Sequence, residues 1–301
     1  MSRGCTDDLG RYEQLVRSAM GPATAFKAEA ETDAAIQVER GTVFPRALLH
    51  ARVGELSQLV DRLAATNTDL MQATVVDRSG HARATYPGLL IYCWAQAFGI
   101  ATKRGVSIEH WREPLKAWCA VLEEQTSNFE SGASGIPASY GAGVSGSAWN
   151  ALALYAAARC IGNERWACRA SDFFRIICNR QQDKGAFLHA QGADNPETRW
   201  YHELVLLHAA TSYAAQSDDA HVKSAVMRAA DWHLNESQPD HASSQPWGLL
   251  AFVWNERVRT LADQLLHSIQ IQQPAGADGI PSMLLADCLY CLPFIARPKN
   301  H

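Results

Sequence analysis

An all-α fold of repeated helical hairpins, arranged as an α/α toroid, is the architecture that this 301-residue sequence predicts. Three observations point to it. Apolar residues recur at helical spacing, while β-branched residues do not cluster in alternating runs, so the strand signature is nearly absent. Segments that are apolar almost all round alternate with segments that carry a polar face, the pattern of buried helices covered by outer ones. The apolar segments also share a register. Tyr86, Trp149, Tyr201 and Trp247 superpose at spacings of 63, 52 and 46 residues, and Leu89, Leu152, Leu204 and Leu250 follow three residues later in each case. Such a repeat with loops of variable length marks stacked supersecondary units.

In chain order, residues 1–43 read as an N-terminal helical or irregular extension, with a short helix over 8–20, ahead of a repeat domain spanning 44–301. An amphipathic helix begins at Phe44, with Leu48, Leu49, Val53, Leu56 and Leu63 on one face, and fades near Asn67. The loop VVDRSGHARAT leads to an apolar helix from Tyr86. Outer helices are expected at about 107–126, 164–180, 219–236 and 257–272. Apolar helices are expected from Trp149, after a Gly/Ser-rich loop, from Tyr201, from Trp247 and over MLLADCLYCLPF. Five or six such hairpins closing on themselves give the toroid. An open α-solenoid has the same local pattern, and the Gly-rich loops favour closure, where they line a mouth.

Composition excludes several classes. With 47% apolar residues the chain can bury a large core, and a net charge of −4 with scattered Lys and Arg lacks a nucleic-acid footprint. No apolar run reaches the roughly 18–20 residues of a membrane span. The N-terminus lacks a basic-then-apolar leader, which predicts a cytoplasmic protein. Eight cysteines spread through apolar segments read mainly as small core residues, and the one CxxC, Cys288–Cys291, has no second pair to complete a zinc set. No P-loop, Rossmann fingerprint, HExxH or GxSxG is present, and no metal or cofactor is expected.

The chemistry-bearing residues sit where loops enter the apolar helices, as expected of a concave polar site. Arg199, Tyr201, His202 and Glu203 gather a guanidinium, a phenol, an imidazole and a carboxylate within five residues. His81, Arg83, Tyr140, Asn150 and His189 belong to equivalent loops or helix starts. The aromatic residues that recur in register, Trp149 and Trp247 among them, read first as packing. Glu203 near a helix start is also what the helix dipole favours, so the Tyr201–Glu203 group stays open between chemistry and structure. His208, two turns into an apolar helix, reads as a hydrogen-bonded core histidine.

The run from Trp149 to about Ala210 resembles the catalytic half of the alginate lyases, polysaccharide lyases of the α/α-toroid class. The resemblance rests on WNALALYAAA, ASDFFRIICNRQQDKGAFL and RWYHELVLLHAATSYAA, and above all on Tyr201-His202 following Gly185-Ala186-Phe187-Leu188. It implies β-elimination on a uronate. Tyr201 matches the family's acid/base, Arg199 would pair with the sugar carboxylate, and a neutralising group would stabilise the developing dianion. The family's Asn-Asn-His run before the Trp is replaced here by Val144-Ser145-Gly146-Ser147-Ala148. The turns QQDKG and QQPAGADG are also similar to the Gln-x-x-Asp-Gly turns of terpenoid cyclases, whose buried acid only Asp287 could supply.

The sequence therefore predicts a carbohydrate-active enzyme acting on an acidic sugar or oligosaccharide by elimination or hydrolysis. Tyr201, His202 and Glu203 are its candidate catalytic groups, with His189 and His81 in reserve. Arg199, Arg83, Asn150, Trp149, Tyr140 and Trp247 are its candidate substrate-binding groups. The alternatives are a non-catalytic toroid that binds a ligand or protein, and a terpenoid cyclase-like enzyme.

Overall fold

The computed structural model describes residues 3–20, 75–76, 82–83, 86–103, 105, 111–131, 140–188, 195–236, 245–274 and 279–296. Helices dominate them and pack against one another. The helix expected over 44–67 and the residues His81 and His189 lie outside the described residues. Among the described residues no helix is long and apolar enough to cross a membrane.

The chain divides into two compact units. One comprises residues 23–173 with 278–283, and the other comprises 1–22, 174–277 and 284–301. Helices α2 (Pro87–Lys103), α3 (Arg112–Ser131) and α4 (Tyr140–Ile161) belong to the first, together with the opening turns of α5 (Glu164–Asn179). A two-residue antiparallel pair, β1 (Val75–Val76) with β2 (Ala82–Arg83), stands where a plain loop was expected, with Val76 opposite Ala82. Adjacent β-branched valines favour extended backbone locally, too short a stretch to read as a strand by alternation.

Proline at the first position of α2 supplies a φ already suited to a helix and gives up an N–H that has no intrahelical partner. Residues 88–98 of this helix are buried almost without interruption. It can be buried all round because glycine lets α4 approach. A Cβ on Gly88 would lie 2.5 Å from the backbone of Trp149 and Asn150, and one on Gly99 would lie 3.1 Å from Cys160 Sγ. The Cys160 thiol donates to the Ala95 carbonyl at 3.3 Å, closing the far end of the same contact. Helix α3 covers the pair with Leu115, Cys119 and Leu122, all fully buried. Trp94 makes a T-shaped contact with Trp118 at 5.2 Å and a tilted one with Trp111 at 5.5 Å.

Helix α4 corrects one expectation. It starts at Tyr140, nine residues before the Trp149 from which the sequence suggested a helix, so YGAGVSGSA is helical and not part of the Gly/Ser-rich loop. Glycine and serine are poor helix formers, but tertiary packing overrides a weak intrinsic preference. None of the described glycines here is required by sterics: a Cβ on Gly146 would sit 3.6 Å from the Tyr86 ring, an ordinary contact, and one on Gly143 would meet nothing.

In the second unit, α6 (Pro196–Ser217) and α7 (Ala220–Glu236) form an antiparallel hairpin. Two aspartates make its turn. Asp218 takes a left-handed conformation (φ 56°) and donates its N–H to the Ala214 carbonyl, ending α6. Asp219 then caps α7 by accepting from His221 and Val222 at 3.0 and 3.2 Å, and pairs with Arg175 of α5 at 3.0 Å. Phe174 stacks on Tyr213 with ring centroids 4.4 Å apart, fixing α5 to α6. Beyond α7 come the short α8 (Leu249–Trp254), then α9 (Arg259–Gln272), and α10 (Gly279–Ile295), which runs from one unit's residues into the other's.

Helix α1 (Arg3–Met20) packs on α9. Tyr12 buries its ring and donates its hydroxyl to the Arg259 carbonyl, while Arg259 pairs with Asp8 at 2.5 Å and Arg11 with Asp263 at 3.1 Å. Leu89, Leu152, Leu204 and Leu250 are all fully buried.

The α2–α4 contact yields a prediction whose sign is informative. Helix propensity alone makes Gly→Ala stabilising by about 1 kcal/mol. At Gly88 the new methyl meets backbone that cannot move aside, so Gly88→Ala should destabilise by about 2 kcal/mol in urea unfolding. Greater stability in the variant would contradict the close approach.

Candidate functional site

The eight-residue turn 181–188 and the first two turns of α6 build the candidate site, all within the second unit. Helix α6 starts where the sequence provides a cap. Asn195 accepts the Glu197 N–H at 2.9 Å through its side chain, and Pro196 takes the first helical position. Arg199, Trp200, Tyr201 and His202 therefore lie inside the helix, partly exposed, and not ahead of it.

The turn is held by side chains from three directions. Its own backbone closes through Gln182 N–H to the Ala186 carbonyl and Gly185 N–H to the Gln182 carbonyl, both at 2.8 Å. The Gln181 amide donates to the carbonyls of Gly185 and Ala225 at 2.7 and 2.8 Å, and its oxygen accepts from Arg228 of α7. Gln182 donates to the Leu188 carbonyl. Gly185 needs φ of +106°, and a Cβ there would lie 2.5 Å from the Arg228 carbonyl oxygen, so only glycine fits.

Glu203 makes the third attachment. It has no exposed surface, and its two oxygens accept the N–H groups of Phe187 (2.9 Å) and Leu188 (2.7 Å). Burial pushes its carboxyl up to about 7, against the opposing pull of the two amides and of the Arg199 guanidinium. Glu203 was expected beside a ligand. Its carboxylate is instead committed to the main chain, and in this conformation it acts on the turn.

Arg199, one helical turn earlier, lies over the Trp232 ring with its guanidinium carbon 5.6 Å from the centroid. One Nη donates to the Leu188 carbonyl at 3.1 Å. Its Nε–H is buried and has no hydrogen-bond acceptor among the described residues. Tyr201 and His202 meet edge to face at 5.3 Å, and Tyr201 meets Trp247 at 6.3 Å with the rings perpendicular. Arg199 thus lies on the Leu188 carbonyl and the Trp232 ring, with Glu203 one helical turn on at the same segment of the chain, whereas Tyr201 meets His202 and Trp247.

Other expectations require correction. Trp247 and Trp149 are completely buried, so neither offers a face to a ligand; both are core aromatics, Trp149 packed on Tyr92 at 5.9 Å. Asn150 belongs with Trp149 to the first unit, is buried, and donates to Gln125 at 3.1 Å. Tyr140 opens α4 and Arg83 lies in β2, and their side chains are outside the described residues. The first unit also carries an open surface groove of about 560 Å³ between Lys116 and Trp166. Its two strongest binding groups are engaged already, Lys116 with Glu113 at 2.7 Å and the Trp166 indole with Glu123 at 3.0 Å.

A second buried polar group, deeper in α6, was only half anticipated. Asp287 of α10 accepts from Ser212, lies 3.3 Å from His208 Nε2, and receives the Cys291 thiol at 3.5 Å. The Gly248 N–H donates to His208 Nδ1 at 3.3 Å, which leaves the ring proton on Nε2, directed at Asp287. All four side chains are shut off from solvent, so the cluster fastens α6, α8 and α10 together. His208 is thus the hydrogen-bonded core histidine that its position suggested. Ser212 carried no signal in an apolar run. Among the described residues no group of three or more His, Cys, Asp or Glu is placed to hold a metal ion.

No protein-family model, no curated protein and no solved structure matches this chain.

Removing the Glu203 carboxylate strands two buried amides. Glu203→Ala should cost about 2–4 kcal/mol in chemical denaturation, more than its lost packing alone. A cost below about 1 kcal/mol, the size of an exposed hydrogen bond, would show that the turn does not depend on it.

Proposed function

We propose that this chain is a carbohydrate-active protein of the α/α-toroid class that binds an acidic sugar at Arg199, Tyr201 and His202 and acts on it by elimination or hydrolysis. One observation carries the reading. A buried Arg199 Nε–H, with no acceptor among the described residues, lies in the same helical turn as a partly exposed phenol–imidazole pair. An unsatisfied donor of a permanent cation is best completed by an anionic oxygen, and a sugar carboxylate has the planar shape that suits a guanidinium. The alternation of buried and amphipathic helices supports the toroid class.

In this reading Arg199 holds the uronate carboxylate and lowers the cost of charge that builds on it as the adjacent C5 proton leaves. Tyr201, as phenolate or through His202, takes that proton. The C5–H electron pair forms the C4–C5 double bond, and the C4–O bond breaks with its pair going to the leaving sugar, which receives a proton from the same Tyr–His pair. Glu203 sits below, setting the position of Leu188 and so of the guanidinium that donates to it.

Binding without turnover is the second reading, and a specific observation favours it. Where the resembling lyases carry their Asn-Asn-His run, this chain has Val144, Ser145 and Ala148, all buried within α4. The cyclase-like reading has less support, because the oxygens of Asp287, the acid that reading relies on, are engaged by Ser212, His208 and Cys291.

The test pairs two assays on a panel of uronate oligosaccharides. Wild type should produce the ultraviolet band of an unsaturated uronate, and Tyr201→Phe should lose it by on the order of 100-fold or more while still binding. Arg199→Ala should weaken binding itself by roughly 10–100-fold in calorimetry. Binding without the band would move the assignment to the non-catalytic reading, and no binding by the folded wild type would end both.

A further inference from the structure

We propose that Trp232 is a positioning residue for the anion site: the face of its indole holds the Arg199 guanidinium in place and leaves the N–H groups of the cation to a ligand. The ligand half of this statement rests on the anion-site reading above. The holding of Arg199 does not.

Trp232 is buried on α7, its ring set edge to face against His233 at 4.9 Å. The Arg199 guanidinium carbon lies over the indole, 5.6 Å from the centroid, within the range at which a cation is attracted to the negative face of an aromatic ring. Helix α7 also anchors the turn 181–188. Gln181 donates to the Ala225 carbonyl and accepts from Arg228. Gly185 lies so close that a Cβ there would be 2.5 Å from the Arg228 carbonyl oxygen and 3.3 Å from the Trp232 Cβ. The same turn brings the Leu188 carbonyl to Arg199 at 3.1 Å. The carbonyl and the ring that touch the guanidinium therefore belong to one hydrogen-bonded frame, and α6 supplies the stem.

How the cation is held decides what it can do. An arginine side chain has many rotamers, and fixing it takes a partner. A carboxylate would fix it through its N–H groups and neutralise it in doing so. The indole face attracts the charge through its quadrupole and supplies no lone-pair acceptor, so it consumes none of the five N–H donors. Among the described residues the Leu188 carbonyl is the one hydrogen-bond acceptor of Arg199. Indole is the strongest aromatic platform for a cation, phenyl is a weaker one, and an aliphatic side chain offers none.

Three proteins separate the ring from its bulk: wild type, Trp232→Phe and Trp232→Leu. In calorimetry with glucuronate, Trp232→Leu should bind about 10-fold more weakly, and Trp232→Phe, which keeps a ring face, should stay within about 3-fold of wild type. Equal binding by Trp232→Leu and wild type would overturn the proposal. So would an equal loss in both variants, since that marks a need for volume and not for a ring. Should Trp232→Leu fail to fold, or no protein bind the sugar, the Arg199 side chain decides by NMR. In wild type its Hδ and Hε protons should be shifted upfield by the indole ring current and show nuclear Overhauser contacts to the Trp232 ring. Unshifted resonances without those contacts would refute the holding of Arg199. The contacts without any sugar binding refute the anion site and the ligand half with it, whereas sugar binding without the contacts refutes the positioning role alone.

Discussion

A single buried carboxylate governs the site region of this protein. Glu203 accepts two consecutive backbone amides from the turn 181–188, and almost everything proposed about function is downstream of that contact. The turn brings the Leu188 carbonyl to Arg199, and Arg199 is then held over Trp232 with its Nε–H buried and without an acceptor among the described residues. Burying a carboxylate is unfavourable by itself. It persists here because amides that precede a buried Phe-Leu pair would be stranded without it, so each side satisfies the other's desolvated group.

Helix α6 uses the same strategy twice. Its upper half carries Glu203, which fixes a turn, and its lower half carries His208 and Ser212, which meet Asp287 of α10 and, through His208 Nδ1, the backbone at Gly248. Apolar side chains alone can slide past one another, whereas a buried hydrogen-bond set has one register. An otherwise apolar helix is thereby fixed to its neighbours at two heights. The partly exposed Tyr201 and His202 are presented from the upper of these, where a rigid base suits acid–base work.

Periodicity made the helices legible. The outer segments expected at 164–180, 219–236 and 257–272 match α5, α7 and α9 closely, because an amphipathic stripe is a local signal that tertiary packing reinforces. The start of α4 was missed because Gly141, Gly143 and Gly146 look like loop by composition, and the packing that makes the segment helical depends on the rest of the chain. At the site, Arg199, Tyr201, His202 and Glu203 were found as a cluster because they are adjacent. Their division of labour was not legible, since only the fold reveals that Glu203 points at amides sixteen and fifteen residues away. Trp149 and Trp247 illustrate the same limit, as an aromatic at a helix start reads alike whether it packs inward or faces a ligand. Gln181 and Gln182 left a faint trace in the repeated Gln-Gln of QQDKG and QQPAG, which composition alone does not distinguish from a solvated turn.

The most direct test of this account is to detect the Glu203 contact itself through hydrogen-bond scalar couplings. Near pH 7, triple-resonance spectra should show through-bond couplings from the amide nitrogens of Phe187 and Leu188 to the Glu203 carboxyl carbon, with both amide protons shifted downfield. Absence of both couplings, with the two amides exchanging as fast as an unprotected peptide, would mean that the turn is not held by Glu203 and that Arg199 is placed by something else.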